Sequence, residues 1–342
     1  MQPTGDSKEL HRLLPVILLL AAVTIPCTLF YLSVSPSTTF KSLAGLFPTT
    51  TQTTWKEELR RVMSAAAMGD KKKTVIITMV NSAWVSPGSV MDLFMESLKI
   101  GNGTRGFLDH LVVVAMDEKG YVRCMGMHDH CFALTTEGVD FSEQKNYMTA
   151  DYLKLTWRRI EFLGTVLELG FSYILTDADI IWFRNPLVHF YSDGDIQISC
   201  DNFMGNSEDM NNIANTGFHY AKSNNRTINF YKYWYSSRVN HPGYHDQDVF
   251  NFIKNDSYTR ELGLKIKFLD TINFGGFCQP SEDFNKVCTM HANCCVGLSR
   301  KIHDLGLMLD DWRKFMRMSP EKRRTRRISW SVPNKCSLDP ID

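Results

Sequence analysis

Asp177 and Asp179 are the side chains whose type and spacing point most directly to chemistry. They lie in Gly170-Phe-Ser-Tyr-Ile-Leu-Thr-Asp-Ala-Asp-Ile-Ile-Trp-Phe-Arg-Asn-Pro186, between an apolar run, Phe171 to Leu175, and a second, Ile180 to Phe183. In extended backbone, side chains at i and i+2 share a face, so both carboxylates are expected to project together from the end of a buried strand. Two carboxylates held together repel each other unless something neutralises them, and a hard divalent cation with oxygen ligands does so. Such a cation would clamp a diphosphate and, as a Lewis acid, take up the charge that develops when it leaves. An Asp-x-Asp pair also occurs in solvated turns; the close apolar flanks argue against that here. A phosphatase whose first Asp attacks phosphate wants Thr or Val two residues after the second Asp, where this chain has Ile181.

The elements around the pair must position it. Thr74 to Asn81, Leu111 to Met116, Ile196 to Cys200, Asn215 to Tyr220 and Leu264 to Leu269 read as short strands. Helical patterns cover Trp55 to Met68, Met91 to Ile100, Tyr147 to Leu169, Thr227 to Ser237 and, opened by Asp246-Gln-Asp248, Val249 to Lys254. The clearest is Tyr147 to Leu169, where Leu153, Trp157, Ile160, Leu163 and Leu167 recur at helical spacing and Gly170 offers a C-terminal cap. Strands alternating with helices predict an α/β fold with a mostly parallel sheet and helices on both faces. Ligands in such sheets bind outside the carboxyl ends of the strands. Asn81, Asp117 and the Asp177/Asp179 pair fall at such ends. Lys154, Arg158 and Arg159 lie on or beside the apolar face of the long helix, as a solvated basic flank or as diphosphate contacts. A lone His is more often structural than a ligand, but His291, in Met290-His-Ala-Asn-Cys-Cys-Val-Gly-Leu-Ser-Arg-Lys301, would complete a metal shell begun by carboxylates. Lys301 would then act as a point charge on phosphate.

The 342 residues, 44% of them hydrophobic, suit one large or two small domains, and a net charge of +1 gives no argument for nucleic acid. Leu13 to Val34 carries no charge and is long enough to span a bilayer as an uncleaved signal anchor. That predicts a cytosolic tail at 1–12, an anchor at 13–34, a Ser/Thr/Pro-rich stem at 35–54 and a lumenal body at 55–342. Asn102, Asn225 and Asn255 open glycosylation sequons. Eight of the 9 Cys follow the anchor, an even number that permits disulfides without revealing their pairing. Cys278, Cys288, Cys294 and Cys295 suggest zinc less well, because no Cys-x-x-Cys pair occurs. The basic run Lys322 to Arg327 reads as a solvated tail, with an acidic polysaccharide or membrane surface as the alternative.

Trp157-Arg-Arg-Ile, Leu167-Glu-Leu-Gly170 and Asp177-Ala-Asp-Ile-Ile-Trp-Phe-Arg-Asn-Pro186 together resemble the plant nucleotide-diphospho-sugar transferases of glycosyltransferase family 77. That family includes rhamnogalacturonan xylosyltransferases and extensin arabinosyltransferases. The resemblance covers roughly Lys73 to Leu309. It implies a GT-A fold, a single Rossmann-like nucleotide-sugar domain, in a type II, single-pass protein of the Golgi membrane. It further implies retaining, metal-dependent transfer of a pentose or hexose to a cell-wall polysaccharide or glycoprotein, with other Golgi enzymes as partners. Carried over residue by residue, Asp177 would touch the donor's ribose or sugar. Asp179 would bind Mn²⁺ or Mg²⁺, with His291 completing the metal site and Lys301 near the diphosphate. Asn215-Thr-Gly217 would hold the donor sugar, Asp246 and Gln247 would lie near the reacting carbon, and Arg159 would face the donor. Asp246 would position or stabilise charge, since front-face attack needs no protein nucleophile; a covalent intermediate would need such a carboxylate. Two other readings are a relative that binds a nucleotide sugar or partner without turnover, and a membrane-anchored phosphohydrolase.

Overall fold

Uninterrupted runs of β-branched and aliphatic residues make strands that are buried on both faces. In the computed structural model these are β1 (Val75–Val80), β2 (Leu111–Ala115) and most of β4 (Tyr173–Thr176), while β6 (Ile196–Asn202) and β7 (Ile213–Ala221) are also largely buried although polar residues interrupt them. The structure describes residues 51–336 apart from 135, 137, 138, 144, 146 and 327. The expected tail at 1–12, the anchor at 13–34 and all but the end of the stem at 35–54 lie outside the described residues. Among those described, no helix is long and apolar enough to cross a membrane. The chain divides into two units at Glu57/Glu58, within helix α1 (Thr51–Ala66). The second unit holds every element discussed below.

The main sheet runs β3-β2-β1-β4-β7-β6-β8, with β3 at Cys131–Ala133 and β8 at Ile266–Phe268. Every pairing is parallel except those of β7, which runs antiparallel to both β4 and β6, so the mostly parallel sheet expected from the sequence is present. The chain winds outward from β1 through β2 to β3 and then returns to β4 on the other side of β1. The crevice at the carboxyl ends of β1 and β4 is therefore a topological switch point, where open α/β sheets bind ligands. One face of the sheet packs Ile76, Val113 and Ile174 with Phe94 and Leu98 of α3 (Val90–Ile100) and with Leu305 and Met308 of α9 (Leu298–Met316). On the other face lie α5 (Ala150–Glu168) and α6 (Asn225–Ser237): Phe162 stacks on Phe132 of β3 at 5.9 Å, and Tyr231 meets Tyr173 of β4.

Asp177-Ala-Asp179 is not the extended continuation of β4. The Ile180 N–H donates to the Asp177 carbonyl at 3.1 Å, closing a turn that carries the chain out of the main sheet. The second apolar run, Ile180 to Phe183, contributes β5 (Ile180–Trp182) to a separate three-stranded sheet with β9 (Phe274–Gly276) and β10 (Thr289–His291). Its register sets His291 opposite Ile180.

Asn81 and Asp117 do fall at strand ends, but as helix caps. Asn81 accepts the Trp84 N–H at the start of α2 (Ser82–Val85). Asp117 accepts the N–H groups of Gly120 in α4 (Glu118–Met125) and Ser82. The zinc reading is excluded: Cys278 pairs with Cys294 and Cys295 with Cys336, while Cys288 is a buried free thiol. Cys124–Cys131 forms a third disulfide. The sequon residues Asn102, Asn225 and Asn255 are all exposed.

Helix α9 went unanticipated, and its buried Asp304 explains how the C-terminal segment is held. The carboxylate accepts N–H groups from Asn334, Lys335 and Cys336 at 2.7, 2.9 and 3.0 Å. Burial alone would raise this carboxyl, but the His303 ring and the three N–H donors hold it below its ordinary value. Its contribution is then fully present above the unfolded range near about pH 4 and is lost as pH falls through the lower folded value. Asp304→Asn is expected to destabilise by about 2–4 kcal/mol at pH 7 in urea melts, with the gap to wild type narrowing in acid.

Candidate active site

Main-chain bonds from two sheets bring the candidate residues together. The Asp177 N–H donates to the Gly217 carbonyl of β7 at 2.8 Å, and the Ala292 N–H donates to the Asp179 carbonyl at 3.0 Å. One carboxylate is thus tied to the main sheet and the next to β10. Oxygen or nitrogen atoms of Asp177, Asp179 and His291 all lie within 4.8 Å of one another. Asp179 is 1% exposed; its Oδ1 lies 3.2 Å from His291 Nε2 and its Oδ2 accepts from Lys301 Nζ at 2.5 Å. Lys301 stands in the first turns of α9, which starts after Gly297, a residue at φ 101°. Burial alone would raise the Asp179 carboxyl, but Lys301 and His291 overcome it and hold the group far below the usual carboxylate range. Burial pushes Asp177 up, with Arg159 opposing and Asp179 adding to the rise.

Arg159 projects from α5 and links Asp177 to a third carboxylate. Its guanidinium donates to Asp177 Oδ1 at 3.0 Å and to Asp246 Oδ2 at 2.6 Å, and reaches the Thr216 hydroxyl at 3.3 Å. Asp246 opens α7 (Asp246–Ile253) and is 1% exposed. Burial would raise its carboxyl, yet Arg159 and His245 hold it ionised far below the usual range. Arg159, expected to face the donor, holds two carboxylates of the candidate site.

An irregularity in β6–β7 pairing shapes the floor. Ile198 pairs with His219 but Ser199 pairs with Asn215, so Thr216 to Phe218 are left unpaired to β6, as in a bulge. His219 spans the irregularity: its Nδ1 lies 2.9 Å from the Thr216 carbonyl and its Nε2 lies 2.8 Å from the Tyr231 hydroxyl. Burial pushes this imidazole down to about 4, so it is neutral at physiological pH. Gly217 has no room for a side chain. A Cβ there would lie 2.6 Å from the His291 ring and 2.8 Å from Asp177 Oδ2.

The expected sugar-holding residues converge on a carboxylate that sequence reasoning missed. Asp201, at the end of β6, accepts from Asn215 Nδ2 at 2.8 Å, Gln247 Nε2 at 2.7 Å and Asn293 Nδ2 at 2.7 Å. Its signal was available, since an apolar strand ends in Cys200-Asp-Asn202 as the earlier one ends in Asp177. Thr216 and Gly217 lie in the segment expected to hold the donor sugar, whereas Asn293 carried no such signal, because only pairing across the sheets brings it here. Lys154 and Arg158, the other basic residues of the helix, pair with Asp151 and Glu161 away from the cluster.

The residues present fit a divalent cation. Asp177, Asp179 and Asp246 face two permanent cations, Arg159 and Lys301. Buried Asp179 Oδ1 and His291 Nδ1 have no hydrogen-bond partner among the described residues, whereas buried polar atoms ordinarily have one. A hard cation accepts carboxylate and imidazole ligands of this kind.

Residues 106–305 match the family model of the nucleotide-diphospho-sugar transferases. An uncharacterized protein of Arabidopsis thaliana is 47% identical over 282 residues, 82% of this chain and 74% of its own length. A second from that plant is 40% identical over 286 residues, 82% of this chain and 84% of its own. A beta-arabinofuranosyltransferase of Arabidopsis thaliana is 22% identical over 171 residues, 47% of this chain and 29% of its own.

Removing Arg159 should expose the cost of the carboxylates it holds. Arg159→Met is expected to destabilise by about 3–5 kcal/mol in denaturant melts, because buried Asp246 loses its one permanent cation and keeps only His245 and the Thr216 hydroxyl beside it. Adding Asp246→Asn should restore part of that loss, a coupling absent if the pair contributed nothing.

Proposed function

We propose that this chain, which belongs to the nucleotide-diphospho-sugar transferase family, is a metal-dependent, retaining glycosyltransferase of GT-A architecture. It would move a pentose or hexose from a nucleotide-diphospho-sugar, with a uridine nucleotide as the first candidate, to a cell-wall polysaccharide or glycoprotein. The observation that carries this reading is the convergence of Asp177, Asp179 and His291 at the switch point of the sheet, with two ligand-type atoms left unsatisfied.

Asp179, His291 and Asp177 would hold Mn²⁺ or Mg²⁺, and the bound ion would supply Lewis-acid charge to the departing diphosphate. Lys301, now on Asp179, adds a second positive charge on the same side for phosphate oxygens. Arg159 keeps Asp246 ionised and holds Asp177 and Asp246 in place, so these dipoles and charges need not reorganise as the glycosidic bond lengthens. Asp246 is buried, ionised and clamped by Arg159 and Thr216. That environment suits stabilisation of positive charge at the anomeric carbon. Front-face attack then follows: the acceptor hydroxyl attacks from the leaving-group side and its proton passes to the departing phosphate. Asp201, Asn215 and Gln247 form a hydrogen-bonded polar set suited to sugar hydroxyls.

The three disulfides and the exposed Asn102, Asn225 and Asn255 support a lumenal body in an oxidising compartment, for which we propose the Golgi, reached through the 13–34 signal anchor. Topology is tested by protease protection of the body in intact vesicles; digestion there would overturn it.

Nucleotide release should appear for one nucleotide sugar in a panel when Mn²⁺ is supplied, and vanish with chelator. Asp179→Ala should lower it by about 10²–10³-fold or more. Gly217→Ala should weaken Mn²⁺ binding about tenfold or more in calorimetry, because its Cβ displaces His291 and Asp177 while the fold is retained. Donor turnover that persists in chelator would overturn metal dependence.

A further inference from the structure

A second concavity lies on α5, turned away from Arg159. Lys154, Trp157, Arg158 and Glu161 recur at i, i+3, i+4 and i+7, so they form one stripe along the helix. This stripe lines a groove of about 490 Å³, whose opposite wall is Tyr235 and Arg238 at the end of α6 and the loop from His241 to Tyr244. The volume falls within the ordinary range for ligand clefts. Trp157 closes the floor, its Nε1 donating to the Tyr244 carbonyl at 3.3 Å. Tyr244 is 46% exposed.

The lining is aromatic with a cationic rim. The Arg238 guanidinium stacks 3.6 Å from the Tyr235 ring centroid, and no carboxylate pairs with it among the described residues. Among the described residues, Lys154 and Arg158 form ion pairs only through exposed contacts with Asp151 and Glu161, which an anionic ligand could exchange at little cost. Aromatic faces are electron-rich and attract the C–H face of a sugar ring, while a guanidinium fork matches a carboxylate.

The groove is also linked to the active site along the chain. Its wall residue Tyr244 is followed by His245, whose Nδ1 is 3.6 Å from Asp246 Oδ1. The exposed Tyr147 and the ring of Tyr152 lie 5.7 and 6.2 Å from the His245 ring, so aromatic side chains surround the residue between the groove wall and Asp246. We propose that the groove binds an anionic, uronate-bearing stretch of the acceptor glycan, away from the sugar being extended. This rests on the glycosyltransferase reading of the adjoining site.

The test uses the full-length protein in detergent and isothermal calorimetry. The probes are acidic oligogalacturonides, neutral malto-oligosaccharides of equal length, and UDP with Mn²⁺. The expected result is saturable binding of the acidic probe that weakens with salt, falls at least fivefold in Tyr244→Ala or Arg238→Ala, and is lost in the double variant. UDP binding with Mn²⁺ should be unchanged in all three variants, which also shows them folded. Failure of wild type to bind the acidic probe, equal binding of the neutral one, or variants that bind as wild type would each overturn the groove assignment. Loss of Mn²⁺-dependent UDP binding in wild type, with oligosaccharide binding intact, would remove the transferase reading and leave the groove as a glycan-binding site.

Discussion

Arg159 bridges Asp177 and Asp246 at 3.0 and 2.6 Å, and Lys301 reaches Asp179, so buried Asp179 and Asp246 stay charged and Asp177 is held beside them at the carboxyl edge of the sheet. Taking an ion out of water costs several kcal/mol even after relaxation, which only close, well-oriented partners offset. That requirement fixes much else. Helix α5 must lie where Arg159 can span from β4 to the start of α7. Helix α9 must start within reach of Asp179. A site held this way is fixed before ligand arrives, the condition under which charges act without reorganisation.

The second sheet and the C-terminal segment serve the same end. β10 carries His291 to Asp179 through its register with β5, and Cys278–Cys294 ties the loops on either side of β10 together. Asp304 and Asp311 of α9 accept backbone N–H groups from the segment 331–336, and Cys295–Cys336 closes it covalently. The helix that presents Lys301 is therefore anchored along its length rather than at one end. Trp312, Phe315 and Phe183 pack on the same side, burying the join between the helix and the second sheet.

Sequence reasoning reached the sheet because β1, β2 and most of β4 are apolar runs, and reached α5 because its apolar spacing is unbroken. It found Asp177, Asp179 and His291, yet the reason offered for the pair was incomplete. The two aspartates converge through a turn rather than by strand alternation, and a turn leaves no periodic signal. Strands β3 and β9 are three residues each, too short to show a period. Helix α9 escaped because charged residues interrupt its apolar face, and two of them, Asp304 and Asp311, are buried as acceptors for a segment far along the chain. Asp201, and the lack of room for a side chain at Gly217, become meaningful only once β6 and β7 are paired with their irregular register. Such tertiary partnerships have no local trace.

The most direct measurement of the central claim is anomalous diffraction at the manganese edge from crystals grown with Mn²⁺ and a nucleoside diphosphate. The account predicts one strong peak within bonding distance of the Asp179 carboxylate and the His291 imidazole, with the diphosphate against it and Lys301 turned to the phosphate. A nucleotide bound at the switch point without a peak there, or with manganese on other residues, would contradict it.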